Sequence, residues 1–372
     1  MKKLTSFLLI LVIVAGALSA CSEKPVLQTE TVPESTTAPE KKQETPTEIK
    51  KQFKLADFRG EAYVTRDSKP VFKFSRGKTA AKNGSAIDEN TAFCIASVTK
   101  QFTAAAILRL KEKGLLSLDD TIDLYFPDYK LGKKNTIHNL LAMRSGIPDY
   151  TNEEAELKKC GVKRNGKYKP NRSAVRKWIL SQKLNFKPGK YYQYSNSNYI
   201  LLSEIVEQVS GMNYGTYLRK QFFKPLEMTG TGFIESYDKK SRNFAKPLKE
   251  STRSELYYRG VSFGSGNIIS TAADLAKWLD ALDGGQVVNP ESFKEMTSSY
   301  TTEGSMEFGY GYGLMIENAD TYFHLGGISS YSSFVMVDKA TKNHIIILSN
   351  TTSEYIKSLG VILDKELPTD KK

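Results

Sequence analysis

Thr91-Ala-Phe-Cys-Ile-Ala-Ser97-Val-Thr-Lys100-Gln-Phe-Thr-Ala-Ala-Ala-Ile-Leu-Arg-Leu110 is the stretch from which the rest of this chain is read. An apolar run delivers Ser97 to the mouth of a helix. Phe102, Ala105, Ala106 and Leu110 recur at helical spacing, so a helix is expected over Val98–Lys113, with Gly114 as its stop. Lys100 follows Ser97 by three residues, and positions i and i+3 share a helix face. The amine therefore reaches the hydroxyl, which is the pairing of nucleophile and base that acyl transfer needs. The spacing alone is common: Ser75/Lys78 and Ser236/Lys239 have it too. The first of these lies in a turn around Gly77 and the second in a polar loop. Only Ser97 combines an apolar lead-in with an amphipathic helix behind it.

Outward from this helix the pattern changes twice. Upstream, Glu61-Ala-Tyr-Val-Thr65 and Pro70-Val-Phe-Lys-Phe74 read as strands around an Asp67-Ser-Lys69 turn. Downstream come helical patterns broken by Gly and Pro: Asn198–Val209, Tyr214–Phe223, and Thr271–Leu282 with Thr271 as N-cap. Thr321–Leu325, Ser333–Val337 and His344–Ser349 return to strand character and are joined by short turns, so they pair antiparallel. Glu354–Glu366 reads as a terminal helix. Strands open and close the domain while helices fill the middle. The expected fold is α+β, an antiparallel sheet flanked by helices with an inserted all-helical lobe. The sheet lobe comes from about 53–95 and 265–368, and the helical lobe from about 96–264.

The first 52 residues read differently. Met1-Lys-Lys3 is a basic start, Leu4–Ala20 is mostly apolar, and Leu18-Ser-Ala-Cys21 closes it. That is a secretory signal over 1–20, too short and wrongly flanked for a spanning helix. Residues 21–52, rich in Thr, Glu, Pro and Lys, hold too little apolar surface to offset their ordering entropy and are expected to form a flexible tether. The 372 residues are 40% hydrophobic with a formal charge of +12. Such a charge invites a nucleic-acid reading, but an exported chain does not meet nucleic acid, and no such partner is expected. The three His (138, 324, 344) lack metal-ligand spacing, so neither metal nor cofactor is implied. Of three Cys, Cys94 lies in the apolar run and is expected to be buried and inert. A Cys94–Cys160 bridge stays open at this level.

Two further groups carry chemistry. In Tyr194-Ser-Asn196, a Tyr oxygen beside two ammonium groups ionises more easily and shuttles protons, and Asn offers both a donor and an acceptor to a substrate amide. In His324-Leu-Gly326-Gly327, the Gly pair leaves room for a substrate along the strand. A backbone N–H there joins that of Ser97 as an oxyanion hole.

Ser97-Val-Thr-Lys100, Tyr194-Ser-Asn196 and His324-Leu-Gly326, in that order, resemble the serine β-lactamase/D-alanyl-D-alanine peptidase superfamily, and within it the class C β-lactamase, DD-carboxypeptidase and esterase group. Leu140-Leu-Ala-Met-Arg-Ser-Gly-Ile-Pro-Asp-Tyr150, Gly266-Asn-Ile-Ile-Ser-Thr-Ala-Ala-Asp-Leu275 and Phe308-Gly-Tyr-Gly-Tyr-Gly313 are similar to it as well. The resemblance covers about 55–350 and implies a β-lactamase/transpeptidase-like fold. It implies that Ser97 is acylated, that Lys100 removes its proton and that Tyr194 serves the leaving group. Asn196 would hold the acyl side chain's amide, His324 would stand in for the usual Lys, and the N–H groups of Ser97 and Gly327 would cradle the oxyanion. Leu18-Ser-Ala-Cys21 resembles a lipobox, which implies acylated Cys21 as an anchor in a bacterial membrane. Leu325 departs from the pattern, because a Thr or Ser hydroxyl there helps bind a substrate carboxylate. The departure speaks against a free C-terminal or β-lactam carboxylate and favours an esterase or amidase on a cell-surface substrate. The substrate class expected from the resemblance is a small-molecule or peptidoglycan-type acyl compound, such as a D-alanyl peptide or an ester. The alternative is a penicillin-binding or wall-binding surface lipoprotein with little turnover.

Two other features compete for attention. Residues 152–190 hold twelve Lys or Arg against three Glu, a balance of +9, which suits an anionic wall polymer or lipid headgroups. Gly260-Val-Ser262-Phe-Gly264 matches a nucleophile elbow, with Asp280 or Asp283 and then His324 in the order of a Ser-His-Asp enzyme. That elbow needs a strand before the Ser and a helix directly after it, whereas the next helix is expected only from Thr271.

Overall fold

The computed structural model describes residues 45–152, 172–236, 243–248, 262–301, 307–328 and 330–368. The expected signal, Cys21, most of the expected tether and Cys160 lie outside them.

Helix α1 (Pro46–Leu55) occupies part of the stretch assigned to the tether. Thr45 and Glu48 form a reciprocal capping box, Pro46 opens the first turn, and Ile49 and Phe53 are buried. Two buried residues one turn apart suffice because they land on a ring-rich sheet face, which local composition does not reveal.

Strands β1 (Gly60–Arg66) and β2 (Lys69–Arg76) form the expected hairpin. The end of the chain supplies β8 (Thr321–Ile328), β9 (Tyr331–Asp338) and β10 (Asn343–Ser349). With the short β6 (Gly309–Tyr310) and β7 (Met315–Ile316) they make one seven-stranded antiparallel sheet, in the order β2-β1-β10-β9-β8-β7-β6. Strands from the two ends of the domain pair near one edge of this sheet, where Gly60 lies opposite Ser349 and Arg66 opposite Asn343.

Strand alternation gives the sheet two apolar faces. One packs against α1 and the terminal helix α9 (Ile356–Glu366), through Phe53, Phe58, Phe72, Phe74, Phe323 and Phe334. The other packs against the inserted body, through Tyr63, Val335, Val337, Ile346 and Leu348. That body holds α2 (Thr99–Glu112), α3 (Ile137–Leu141), α4 (Arg172–Ser181), α5 (Asn196–Ser210) and α6 (Tyr214–Leu218). Helix α7 (Ala272–Asp283), capped by Thr271 as expected, and α8 (Pro290–Thr297) follow. Within the stretch expected to be all helical, β4 (Gly232–Phe233) is an exception. It joins β3 (Phe93–Cys94) and β5 (Ile268–Ser270) in a small antiparallel sheet. This sheet pins the strand leading into Ser97. Cys94 is a free, buried thiol there, and burial pushes its pKa up to about 12.

Candidate active site

Ser97 lies on a short 3-10 turn, Ala96–Val98, just before α2. Ala96 holds a left-handed φ of 45°, a conformation that costs a residue with a Cβ. β8 clamps this turn. A Cβ on Gly326 would meet the Ile95 carbonyl oxygen at 2.5 Å and the Ser333 hydroxyl at 2.1 Å. Only glycine lets β8 come this close. Gly327 differs: a Cβ there would meet nothing within 4 Å, so this part of the strand borders open space.

Lys100 is fully buried. Its Nζ donates to Ser97 Oγ at 3.0 Å, to Asn196 Oδ1 at 2.8 Å and to the Ser265 carbonyl at 2.8 Å. It also lies 4.9 Å from the centre of the Tyr194 ring and 5.6 Å from that of Tyr199. Burial pushes its pKa down to about 7, with the Asp149 carboxylate opposing that shift. Near neutral pH a large share of the amine is thus unprotonated, as a base for the Ser97 hydroxyl must be.

Tyr194 comes to the same place from the residue before the N-cap of α5, and its hydroxyl is hydrogen-bonded to Ser97. The two ammonium neighbours expected for it are not there: Lys100 is the only one among the described residues. Desolvation holds the Tyr194 pKa well above the ordinary phenol value, and the bond to Ser97 offsets this only in part. The phenol stays protonated, and the group tuned toward neutrality is Lys100.

His324 is neutral as well. It is fully buried on β8, with Nε2 3.4 Å from the Tyr310 hydroxyl. Its Nδ1 lies 2.6 Å from the Leu325 carbonyl, which only accepts, so Nδ1 carries the proton. Burial, aided by Lys100 nearby, pushes its pKa down to about 3. Leu325 packs against the phenylalanine-rich core on the other side of the sheet. His324 thus brings no positive charge to a substrate carboxylate, and the Leu325 side chain belongs to the opposite face.

Asp149 escaped the sequence reading as a functional residue, although Gly146-Ile-Pro-Asp149-Tyr150 lies inside a family-like stretch. Its Oδ2 accepts from Asn196 Nδ2 at 2.9 Å. Asn196 is therefore held at both ends, by Asp149 and by Lys100. Tyr310, from the Phe308–Gly313 stretch, meets Tyr194 edge-on with ring centres 6.0 Å apart.

The elbow arrangement is not assembled. Asp280 Oδ1 lies 2.7 Å from His344 Nδ1 and not beside His324. Ser262 sits in a turn whose carbonyl accepts from the Ser265 and Gly266 N–H groups. No helix follows until Ala272. Of the basic segment, 153–171 lie outside the described residues. Where it is described, Arg172 pairs with Glu207 at 3.0 Å and Arg176 with Glu204 at 2.9 Å, both on α5, so part of its charge is neutralised locally.

Comparison with known proteins agrees with this geometry. The Beta-lactamase family model matches residues 57–357. Protein flp of Staphylococcus aureus (strain N315) is 30% identical over 297 residues, covering 76% of this chain and 57% of that protein. The chain thus spans little more than half the length of that relative. The putative penicillin-binding protein PbpX of Bacillus subtilis (strain 168) is 28% identical over 305 residues, covering 81% of this chain and 73% of that protein. Among solved structures, the octameric penicillin-binding protein homologue from Pyrococcus abyssi superposes with a TM-score of 0.73 at 26% identity, covering 87% of this chain and 78% of that one. With a family model spanning its whole sheet and helical body, this chain belongs to the Beta-lactamase family.

Proposed function

We propose that the chain is a serine hydrolase that forms an acyl-enzyme on Ser97, with a D-alanyl peptide, an ester or a related cell-envelope acyl compound as donor. The observation that carries this reading is the Lys100 amine, fully buried, 3.0 Å from Ser97 Oγ and with its pKa pushed down to about 7. A surface lysine beside a serine has no reason to be desolvated at such cost.

In the proposed reaction Ser97 Oγ bonds to the substrate carbonyl carbon and its proton passes to Lys100 Nζ. The carbonyl oxygen takes up the negative charge, against the backbone N–H groups of Ser97 and Gly327. When the bond to the leaving group breaks, Tyr194 donates its phenolic proton to that group and recovers one from Lys100. Water then attacks the acyl-enzyme by the same steps in reverse. Asn196 lies where it meets an acyl-side amide. The neutral His324 favours donors without a carboxylate beside the scissile bond, so esters and carboxylate-free amides of D-alanine come before β-lactams and before peptides ending in a free D-alanine.

Intact-mass spectrometry after exposure to a p-nitrophenyl ester and to a fluorescent penicillin tests this. Ester turnover that S97A abolishes is the expected result. A durable penicillin adduct on Ser97 without turnover points instead to a penicillin-binding lipoprotein. Reaction with neither, on folded protein, rejects the hydrolase.

We also propose that Cys21 is acylated and holds the domain at the outer face of a bacterial membrane; Leu18-Ser-Ala-Cys21 after a basic and apolar start supports this. Detergent-phase partitioning of the natural chain, lost in C21S, is the expected outcome, and equal partitioning of the two overturns it.

A further inference from the structure

A primary amide can present either its oxygen or its nitrogen to a neighbour, and the two orientations fit the same space. For Asn196 the choice matters. Only the oxygen can accept from the Lys100 amine, which it does at 2.8 Å. Asp149 settles the orientation from the other side. A carboxylate only accepts, so Oδ2 of Asp149 requires the nitrogen of Asn196, and the two lie 2.9 Å apart. The oxygen is thereby left for Lys100.

Asp149 is itself held firmly. Its Oδ1 accepts from the Thr151 N–H at 3.0 Å. The residues on either side are tied to Ser197 on the first turn of α5: the Ser197 hydroxyl donates to the Pro148 carbonyl at 2.6 Å and accepts from the Tyr150 N–H at 3.0 Å. One turn of chain earlier, the Ser145 hydroxyl donates to Asn198 Oδ1 at 2.6 Å. The loop carrying Asp149 is therefore laced onto the very turn that carries Asn196.

We propose that Asp149 is a positioning residue that locks the Asn196 amide and thereby holds the Lys100 amine against Ser97. The inference rests on reading Ser97 as the acylated residue. A second consequence is electrostatic. Ser97, Asn196, the Ser265 carbonyl and the rings of Tyr194 and Tyr199 surround Lys100, with His324 nearby. The tyrosines and His324 are neutral near pH 7, so Asp149 is the one charged group among the described residues that acts on the amine. Its negative charge favours the protonated amine and counters burial, which keeps Lys100 usable as both proton acceptor and donor near neutrality.

The test uses the full chain and two readouts. The rate of Ser97 labelling by a fluorophosphonate is followed against pH, and the Lys100 side chain is titrated by NMR on protein carrying carbon-13 lysine. D149N keeps an oxygen for Asn196 but loses the charge. Its Lys100 midpoint and the acidic limb of its labelling profile are expected to fall by roughly half a pH unit to one unit, with the plateau rate within about threefold of the parent. D149L loses both features, and its plateau is expected to drop about 10- to 100-fold, the scale set by misplacing a reacting group. A D149N midpoint equal to the parent's, together with a D149L plateau within about twofold of it, overturns the proposal. Should D149L fail to fold, the D149N midpoint decides alone. A parent that titrates as described but never labels refutes the hydrolase reading and leaves the Asp149 result standing on the NMR.

Discussion

On one face of β8, Phe323 and Leu325 join a core built almost wholly of rings and aliphatic chains. On the other, His324 and Gly326 border a buried lysine, a cluster of tyrosines and a strained turn. The strand is the same and the residues alternate, yet the two sides obey different rules. The phenylalanine side holds α1 and α9 in place and asks only for volume and apolarity. The histidine side places the Lys100 amine in a setting that penalises its charge, a cost that the proposed reaction would repay. The comparison teaches that stability and chemistry sit about one strand thickness apart and answer to different substitutions.

The sharpest way to break this comparison is on the reactive side. S97A should abolish ester turnover, a loss on the order of 10³-fold or more, with an unchanged melting temperature. K100M should lose a similar amount, and yet melt higher than the parent, because a buried amine gives way to an apolar chain of similar length. A lower melting temperature for K100M would mean that the amine is part of the scaffold and not a cost carried for reactivity.

The converse belongs to the other face. Phe334 packs against Gly360 of α9 so closely that a Cβ on Gly360 would meet the ring at 2.1 Å. F334A should cost about 3–5 kcal/mol of stability in denaturant melts. Ser97 labelling per folded molecule should stay within about twofold of the parent. A larger drop in labelling would show that the two faces are coupled.

A smaller effect separates the paired glycines. G326A drives a methyl into the Ile95 carbonyl and should slow labelling about tenfold or more, through the Ser97 turn, whereas G327A, which faces open space, should leave the fold unstrained. Equal melting temperatures and rates for the two variants would refute the clamp on Ala96–Ser97.

The pH dependence gives the subtlest test. The proposed base must be unprotonated to act, and burial brings the Lys100 pKa down to about 7. Labelling should therefore rise with pH through about 7 and level off above it. His324, with its pKa near 3, is already neutral throughout this range. H324Q should move the midpoint by no more than a few tenths of a unit. A larger displacement would identify His324 as a titrating member of the site.

Much of this was open to a reader of the sequence, for reasons that lie in local physics. Period-two alternation exposed β1, β2, β8, β9 and β10, and period-3.6 spacing exposed α2, α5 and α7. Three motifs in order singled out Ser97, Lys100, Tyr194, Asn196 and His324, which the structure brings to one place. Helix α1 was hidden, since Ile49 and Phe53 are sparse among charged neighbours and make sense only against the rings they meet. Asp149 was hidden too, because a Pro-Asp-Tyr segment looks like any turn until Asn196 is seen beside it.

The local chain thus determined which elements form and which groups are chemically able. Only the tertiary structure decided their charge states: Lys100 drawn toward neutrality, Tyr194 kept protonated, His324 stripped of its charge. A proton's affinity for a side chain depends on what surrounds it in three dimensions, and here those surroundings come from chain segments up to more than two hundred residues apart.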